Sequence, residues 1–183
     1  MHPGRYSGVV NEITSNLYIG DRFSAQEKDE LKRHDVTHIV NMAGRTCPSF
    51  FPTDFTYFVV KIDDTTEEDI SAHFESTFEF IENAHAKGGR VFVHCEAGRS
   101  RSATICINYL MRTKGWTLKK AFRHVKSKRP IIMPNFRFFF ALCEMEKEIT
   151  GVYSLKLDAS TYYNYNIRLE GKYSGMTTTC TIS

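Results

Sequence analysis

Alternating apolar and polar stretches predict strands and helices in turn along most of the chain. "ITSNLYIG", Ile13 to Gly20, reads as a short strand, and "SAQE", Ser24 to Glu27, reads as a capping box opening a helix that runs to about His34. The β-branched and aromatic runs "VTHIVNMA" (Val36 to Ala43) and "FTYFVVKI" (Phe55 to Ile62) read as strands, separated by a loop marked by Gly44, Pro48 and Pro52. From Asp69 to about Lys87, Ile70, Phe74, Phe78 and Ile81 recur at helical spacing on one face, and Gly88-Gly89 ends the run.

"RVFVHC", Arg90 to Cys95, is nearly all apolar, as the central strand of a parallel sheet covered on both faces must be. The helix that follows, "RSATICINYLMR", is apolar almost all round and so expected to be buried. Thr117 is placed to cap a helix ending near Lys128, and Pro134-Asn135 opens the last one, in which Phe136, Phe139, Phe140 and Cys143 share a face. Past Gly151 the pattern fades into a Tyr, Thr and Ser-rich stretch. This order predicts an α/β, three-layer fold with a central, mainly parallel sheet flanked by helices. The expected organisation is an N-terminal tail over 1–12, one domain over 13–150 and a flexible, loosely ordered tail over 151–183.

Composition narrows the class. With 183 residues and 42% hydrophobic content, the chain can build one sizeable core but not two ordinary domains. A net charge of +3, from 24 basic and 21 acidic residues, is too balanced for a protein that holds nucleic acid by neutralising phosphates, so no nucleic-acid partner is expected. A local anion site stays open. The five cysteines (Cys47, Cys95, Cys106, Cys143 and Cys180) are odd in number, form no CxxC pair and follow no secretory leader, which places the chain in a reducing cytoplasm or nucleus. No apolar run approaches the roughly 18 residues of a membrane span. No histidine shows metal-ligand spacing, and neither metal nor cofactor is expected.

The chemistry concentrates in "VFVHCEAGRSRSAT", Val91 to Thr104. A cysteine between a buried strand and a helix N-terminus sits at the carboxyl edge of the sheet, where α/β proteins bind ligands. There, with Arg99 and Arg101 close by, the Cys95 thiol should ionise well below its free pKa of about 8.5 and act as a nucleophile. Successive amides over Glu96, Ala97, Gly98, Arg99, Ser100 and Arg101 form a nest for an oxyanion with equivalent oxygens, phosphate being the obvious candidate. Arg101 can fold back over it and bind two oxygens at once. Ser102 can donate to the sulfur and so help it leave, and His94 is expected to orient the loop from behind. Arg99 fits a solvated rim charge as well as a substrate contact.

The string His94-Cys95-x-x-Gly98-x-x-Arg101-Ser102, in strand-loop-helix context, resembles the cysteine-dependent protein phosphatases. The dual-specificity branch, whose signature HCxxGxxRS is matched at every fixed position, is the nearest likeness. The resemblance runs from about Ile13 to Ile149 and includes "GRVFVHC", "SRSATICINYLMR" and "KSKRPIIMPNF". It implies phosphorylated proteins as substrates, a phosphocysteine intermediate and an acid from another loop that protonates the leaving oxygen. The family pattern Asp-x4-Asp-Ile fits Asp64 with Asp69-Ile70, with Asp63 the neighbouring alternative; Glu67, Glu68 and Asp69 read as charges at a helix N-terminus. Asn135 matches an asparagine that buttresses the loop, while Ala141 stands where several relatives carry a glutamine.

The short domain leaves no room for the pocket-deepening segment of the tyrosine-specific branch, so a shallow pocket open to phosphoserine, phosphothreonine and phosphotyrosine is implied. Two other readings remain. One is a phosphatase of a phospholipid or phosphoglycan, suggested by "AGRSRSAT" but opposed by Glu96, which is unfavourable beside a polyanionic headgroup. The other is a phosphate-binding adaptor without turnover, opposed by the presence of Cys95, Arg101 and Asp64. Finally, "CTIS" makes Cys180 a candidate for prenylation, the one route to membrane association that the sequence offers.

Overall fold

In a computed structural model of the protein, residues 6–155 and 158–163 are described. Five strands form one sheet in the order β1-β2-β5-β3-β4: β1 (Asn11–Thr14), β2 (Leu17–Gly20), β5 (Arg90–His94), β3 (Val36–Asn41) and β4 (Thr56–Val59). Every neighbouring pair is parallel except β1 with β2. Val91, Phe92 and Val93 of the central strand are each 0% exposed, which explains its unbroken apolar run.

The two faces are unequal. α2 (Phe74–Ala86), α3 (Arg101–Lys114), α4 (Leu118–Lys128) and α5 (Phe136–Thr150) build the main core with Val91 and Val93. The opposite face, with Phe92, Ile39 and Tyr18, is covered by α1 (Lys28–Arg33), Ala25 and Phe55. The helix layers of the predicted fold are therefore both present, one much thicker than the other. α3 has eleven of its residues buried, as its all-round apolar pattern demands. Thr117 caps α4 by accepting from the Lys120 amide, and Asn135 caps α5 by accepting from Phe138.

Four local expectations are corrected. The single strand over Ile13 to Gly20 is a hairpin: β1 and β2 are antiparallel, and Ser15-Asn16 turns between them, with the Thr14 hydroxyl donating to Asn16 Oδ1 at 2.7 Å. The capping box at Ser24 to Glu27 does not form. Asp21 takes the capping role, accepting from the Ser24 amide at 2.8 Å, while Ser24 Oγ accepts from the Asp21 amide at 2.9 Å. A 3-10 turn over Ser24–Gln26 then precedes α1.

On α5 the buried face carries Phe138, Phe139, Leu142 and Cys143, while Phe140 is 44% exposed. The chain also keeps packing past Gly151. Leu155 is buried, residues 159–163 are helical, and the Tyr162 ring lies 4.2 Å from that of Phe139 with its hydroxyl donating to Pro134 O at 2.7 Å. Buried anchors spaced through a polar stretch leave no periodic signal, so the tail reads as loosely ordered although this part of it is not. Cys180 and "CTIS" lie outside the described residues.

Candidate active site

β5 ends at His94 and α3 starts at Arg101, so the intervening loop sits at the carboxyl edge of the sheet with the helix N-terminus facing it. Cys95 is 1% exposed, and its Sγ lies 3.3 Å from Ser102 Oγ, within hydrogen-bond reach. Gly98 adopts φ 63°, and a Cβ there would stand 2.5 Å from Gly20 O and 2.6 Å from Arg129 Nη2. Only glycine fits so tight a left-handed turn.

Arg101 is 7% exposed. Its Nη1 donates to Ile62 O at 3.0 Å and Met42 O at 3.4 Å, carbonyls just beyond β4 and β3. Its Nε is buried without a hydrogen-bond partner, 3.9 Å from Asp64 Oδ2. A buried guanidinium with a free donor at an exposed loop edge suits an incoming anion.

Asp64 reaches the same place from the segment between β4 and α2. Its Oδ1 accepts from Ser100 Oγ at 2.6 Å and from Asn135 Nδ2 at 2.9 Å. Asn135 also donates its amide to Ser100 Oγ at 3.0 Å, so the start of α5, the Cys95 loop and the acid segment meet at one point. Asp63 faces elsewhere, paired with Arg45 at 2.9 Å. Asp69 accepts from the Ser71 amide at 3.1 Å and caps the turn before α2. Of the candidate acids, the structure brings Asp64 alone to the loop.

His94 lies behind the loop, fully buried and stacked on Phe92, with Nδ1 3.5 Å from Cys95 O. Burial lowers its pKa to about 4, so the imidazole is neutral. Glu96 turns its carboxylate outward to Arg22 at 2.8 Å and to the Thr46 hydroxyl at 3.1 Å. Ala97 and Arg99 are exposed, and Arg99 spends its Nε on Ile131 O at 3.2 Å. Burial pushes the Cys47 thiol up to about 11 and the Cys143 thiol up to about 12, and also raises that of Cys106.

Sequence reasoning missed Arg129. It is 0% exposed; Nε donates to Gly98 O at 2.7 Å, Nη2 to Ala97 O at 3.5 Å and Nη1 to Asn11 Oδ1 at 2.8 Å, with Asp21 Oδ2 at 3.6 Å. In a trans peptide the carbonyl and the following amide point opposite ways, so carbonyls held by Arg129 turn the Gly98 and Arg99 amides away from it. The residue stands in "KSKRPIIMPNF", a stretch that carries the family resemblance but gives Arg129 no role by its spacing. Among the described residues no group of His, Cys, Asp and Glu could hold a metal ion, and no helix is long and apolar enough to cross a membrane.

The chain is similar to known proteins in sequence and in fold. A family model described as "Dual specificity phosphatase, catalytic domain" matches residues 17–148. Dual specificity protein phosphatase 1 of Mus musculus is 43% identical over 138 residues, covering 75% of this chain and 37% of that protein. Dual specificity protein phosphatase 1 of Arabidopsis thaliana is 41% identical over 145 residues, covering 79% of this chain and 73% of that one. The chain thus spans little more than a third of the length of its vertebrate relative. Among solved structures, human DUSP28 superposes with a TM-score of 0.68 at 35% identity, over 76% of this chain and 94% of that one. The human tyrosine phosphatase-like serine/threonine/tyrosine-interacting protein gives 0.71 at 36% identity, over 76% and 96%.

Proposed function

The chain belongs to the dual specificity phosphatase family, and on that premise we propose that it hydrolyses phosphotyrosine, phosphoserine and phosphothreonine in proteins through a phosphocysteine at Cys95. The observation that carries this reading is the attachment of Asp64 to Ser100 of the Cys95 loop and to Asn135, which sets a carboxyl group from a separate segment beside the nucleophile's loop.

The residues divide the work as follows. The phosphoryl group enters the nest from Glu96 to Arg101, its oxygens taken by backbone amides and by the Arg101 guanidinium, while Arg129 holds the outer carbonyls. The Cys95 thiolate attacks phosphorus in line. As the P–O bond breaks, Asp64 gives its proton to the leaving oxygen, so a neutral alcohol or phenol departs rather than an alkoxide or phenoxide. Asp64, now a carboxylate, takes a proton from water, which attacks the phosphocysteine, and Ser102 donates to the departing sulfur. Inorganic phosphate leaves and Cys95 is regenerated. His94, neutral and buried, fixes the loop from behind and transfers no proton.

A phosphorylated protein fits better than a lipid headgroup on the likeness to dual specificity protein phosphatases, and Glu96, already paired with Arg22 and Thr46, offers a polyanionic headgroup no cation at that loop position. Competing substrates test this: initial rates are measured side by side on phosphotyrosyl peptides, phosphothreonyl peptides and phosphoinositide vesicles. Peptide turnover on both residue types above lipid turnover is expected. Lipid turnover far above both peptides would overturn the reading.

A further inference from the structure

The turn after β3 touches both halves of the site. Gly44 donates its amide to Val60 O at 2.9 Å, which docks the turn against the segment leaving β4. The next two residues then reach in different directions. Arg45 reaches the acid segment: Nε donates to Lys61 O at 3.0 Å, Nη1 donates to Asp63 Oδ2 at 2.9 Å, and Nη2 lies 3.3 Å from Glu68 Oε1. Thr46 donates its hydroxyl to Glu96 Oε2, in the phosphate loop, at 3.1 Å.

The contacts of Arg45 straddle Asp64, two before it and one after. Glu68 Oε1 also accepts from the Asp63 amide at 3.3 Å, closing the loop on itself. This segment has no regular backbone ladder from Lys61 to Asp69 and carries five carboxylates, at Asp63, Asp64, Glu67, Glu68 and Asp69. Their mutual repulsion favours a splayed loop, and a guanidinium bound to the first and fourth of them opposes it. Asp64 is otherwise held by Ser100 and Asn135, and it must give up or share those contacts when it turns to a leaving oxygen. Its reach is then set by whatever else fixes the loop.

We propose that Arg45 is a positioning residue: it clamps the acid segment at Lys61, Asp63 and Glu68 so that Asp64 is presented to the leaving oxygen, while Thr46 ties the same turn to the phosphate loop. The inference rests on Asp64 being the general acid. Arg45 touches no substrate; it acts through Asp64. Arg45 and Asp63 are 50% and 41% exposed in their side chains, so the clamp is a network of weak pairs and its loss has a modest effect.

The test is the leaving-group dependence of kcat/KM, which reports the first chemical step, over aryl phosphates ranging from nitrophenyl phosphate to esters of tyrosine-like phenols. Nitrophenolate leaves without a proton, so Arg45→Ala should match the wild type there and fall about three- to tenfold behind with the poorest leaving group. Arg45→Lys should recover part of that loss. Glu68→Gln, which leaves Arg45 and its other contacts in place, should give a smaller steepening of the same kind. A purely structural Arg45 would lower all esters equally, and equal loss across the series in both Arg45→Ala and Glu68→Gln would overturn the inference. Asp64→Ala serves as the reference. Should it show no leaving-group dependence, the acid assignment itself is wrong and the clamp falls with it; a dependence in Asp64→Ala without one in the Arg45 and Glu68 variants removes the clamp alone.

Discussion

Gly98→Ala is expected to damage both stability and turnover, and the structure separates the two causes. Residue 98 sits at φ 63°, and a non-glycine residue in the left-handed region costs about 1–2 kcal/mol. The added methyl would stand 2.5 Å from Gly20 O and 2.6 Å from Arg129 Nη2. One neighbour is backbone, and the other belongs to a fully buried guanidinium tied to Gly98, Ala97, Val9 and Asn11, so neither gives way cheaply. Overpacking of this kind adds about 1–3 kcal/mol.

The total, about 2–5 kcal/mol, lowers Tm by roughly 4–20 °C in a chain of this size. To reach ordinary contact at about 3.4 Å the loop must move by roughly 0.9 Å. A displacement of that size in a catalytic loop costs about 10²-fold in kcat/KM. Gly115 is the control: its φ is 59°, but nothing lies within 4 Å of a Cβ built there, so Gly115→Ala carries the backbone strain alone and leaves the loop in place. Both variants are compared by thermal unfolding and by kcat/KM on an aryl phosphate. Equal Tm and equal activity in the two would refute the argument that the close approach of Gly20 and Arg129 shapes the site.

Other outcomes follow from the same geometry. Asp64→Ala should lower kcat by roughly 10² to 10⁴ on alkyl phosphates and less on aryl phosphates with good leaving groups, with the basic limb of the pH profile flattened. The same signature in Asp63→Ala, with Asp64→Ala near normal, would move the acid by one residue. Burial holds the His94 pKa at about 4, against an ordinary value of 6.5. Between those pH values the unfolded chain binds a proton that the folded one refuses, so stability is full above 6.5 and falls, by about 3 kcal/mol, as the pH drops to 4. Urea unfolding at a series of pH values reads this, and an unchanged loss in His94→Gln would assign it elsewhere. Tyr162→Ala should cost about 3–5 kcal/mol by emptying a site against Phe139; a cost below about 1 kcal/mol by the same unfolding assay would show that residues 158–163 add nothing to the domain.

What could be read from the chain was whatever is local. Cys95, Gly98, Arg101 and Ser102 lie within eight consecutive positions between a strand and a helix, so their chemistry follows from spacing. The α/β alternation was equally legible, because a two-face-buried strand and an amphipathic helix each leave a periodic trace. The hairpin at Ser15-Asn16 was hidden because its turn carries neither glycine nor proline, so the apolar residues on either side read as one short run. Ser24 was misread because its hydroxyl finds Asp21, three residues upstream, instead of the helix it seemed to open. Arg129, Arg45 and Thr46 could not be read at all. Each acts on a backbone carbonyl or carboxylate distant in sequence, as Arg129 does on Gly98, and such contacts have neither period nor motif. Asp64 lies between these cases: its neighbourhood of carboxylates was evident, but choosing it over Asp63 needed the family pattern, and the contacts to Ser100 and Asn135 give that choice its geometry.

Turnover through Cys95 requires a covalent phosphoryl group on its sulfur, and that group can be trapped. The protein is mixed with an aryl phosphate, quenched in acid within the first turnover, digested and mapped by mass spectrometry, with Cys95→Ser treated in parallel. One phosphoryl group is expected on the peptide carrying Cys95, appearing with the burst of phenol release, and none on Cys95→Ser, which should lose turnover yet still bind inorganic phosphate. Phenol release with no phosphorylated Cys95 peptide, or hydrolysis surviving in Cys95→Ser, would contradict turnover through Cys95.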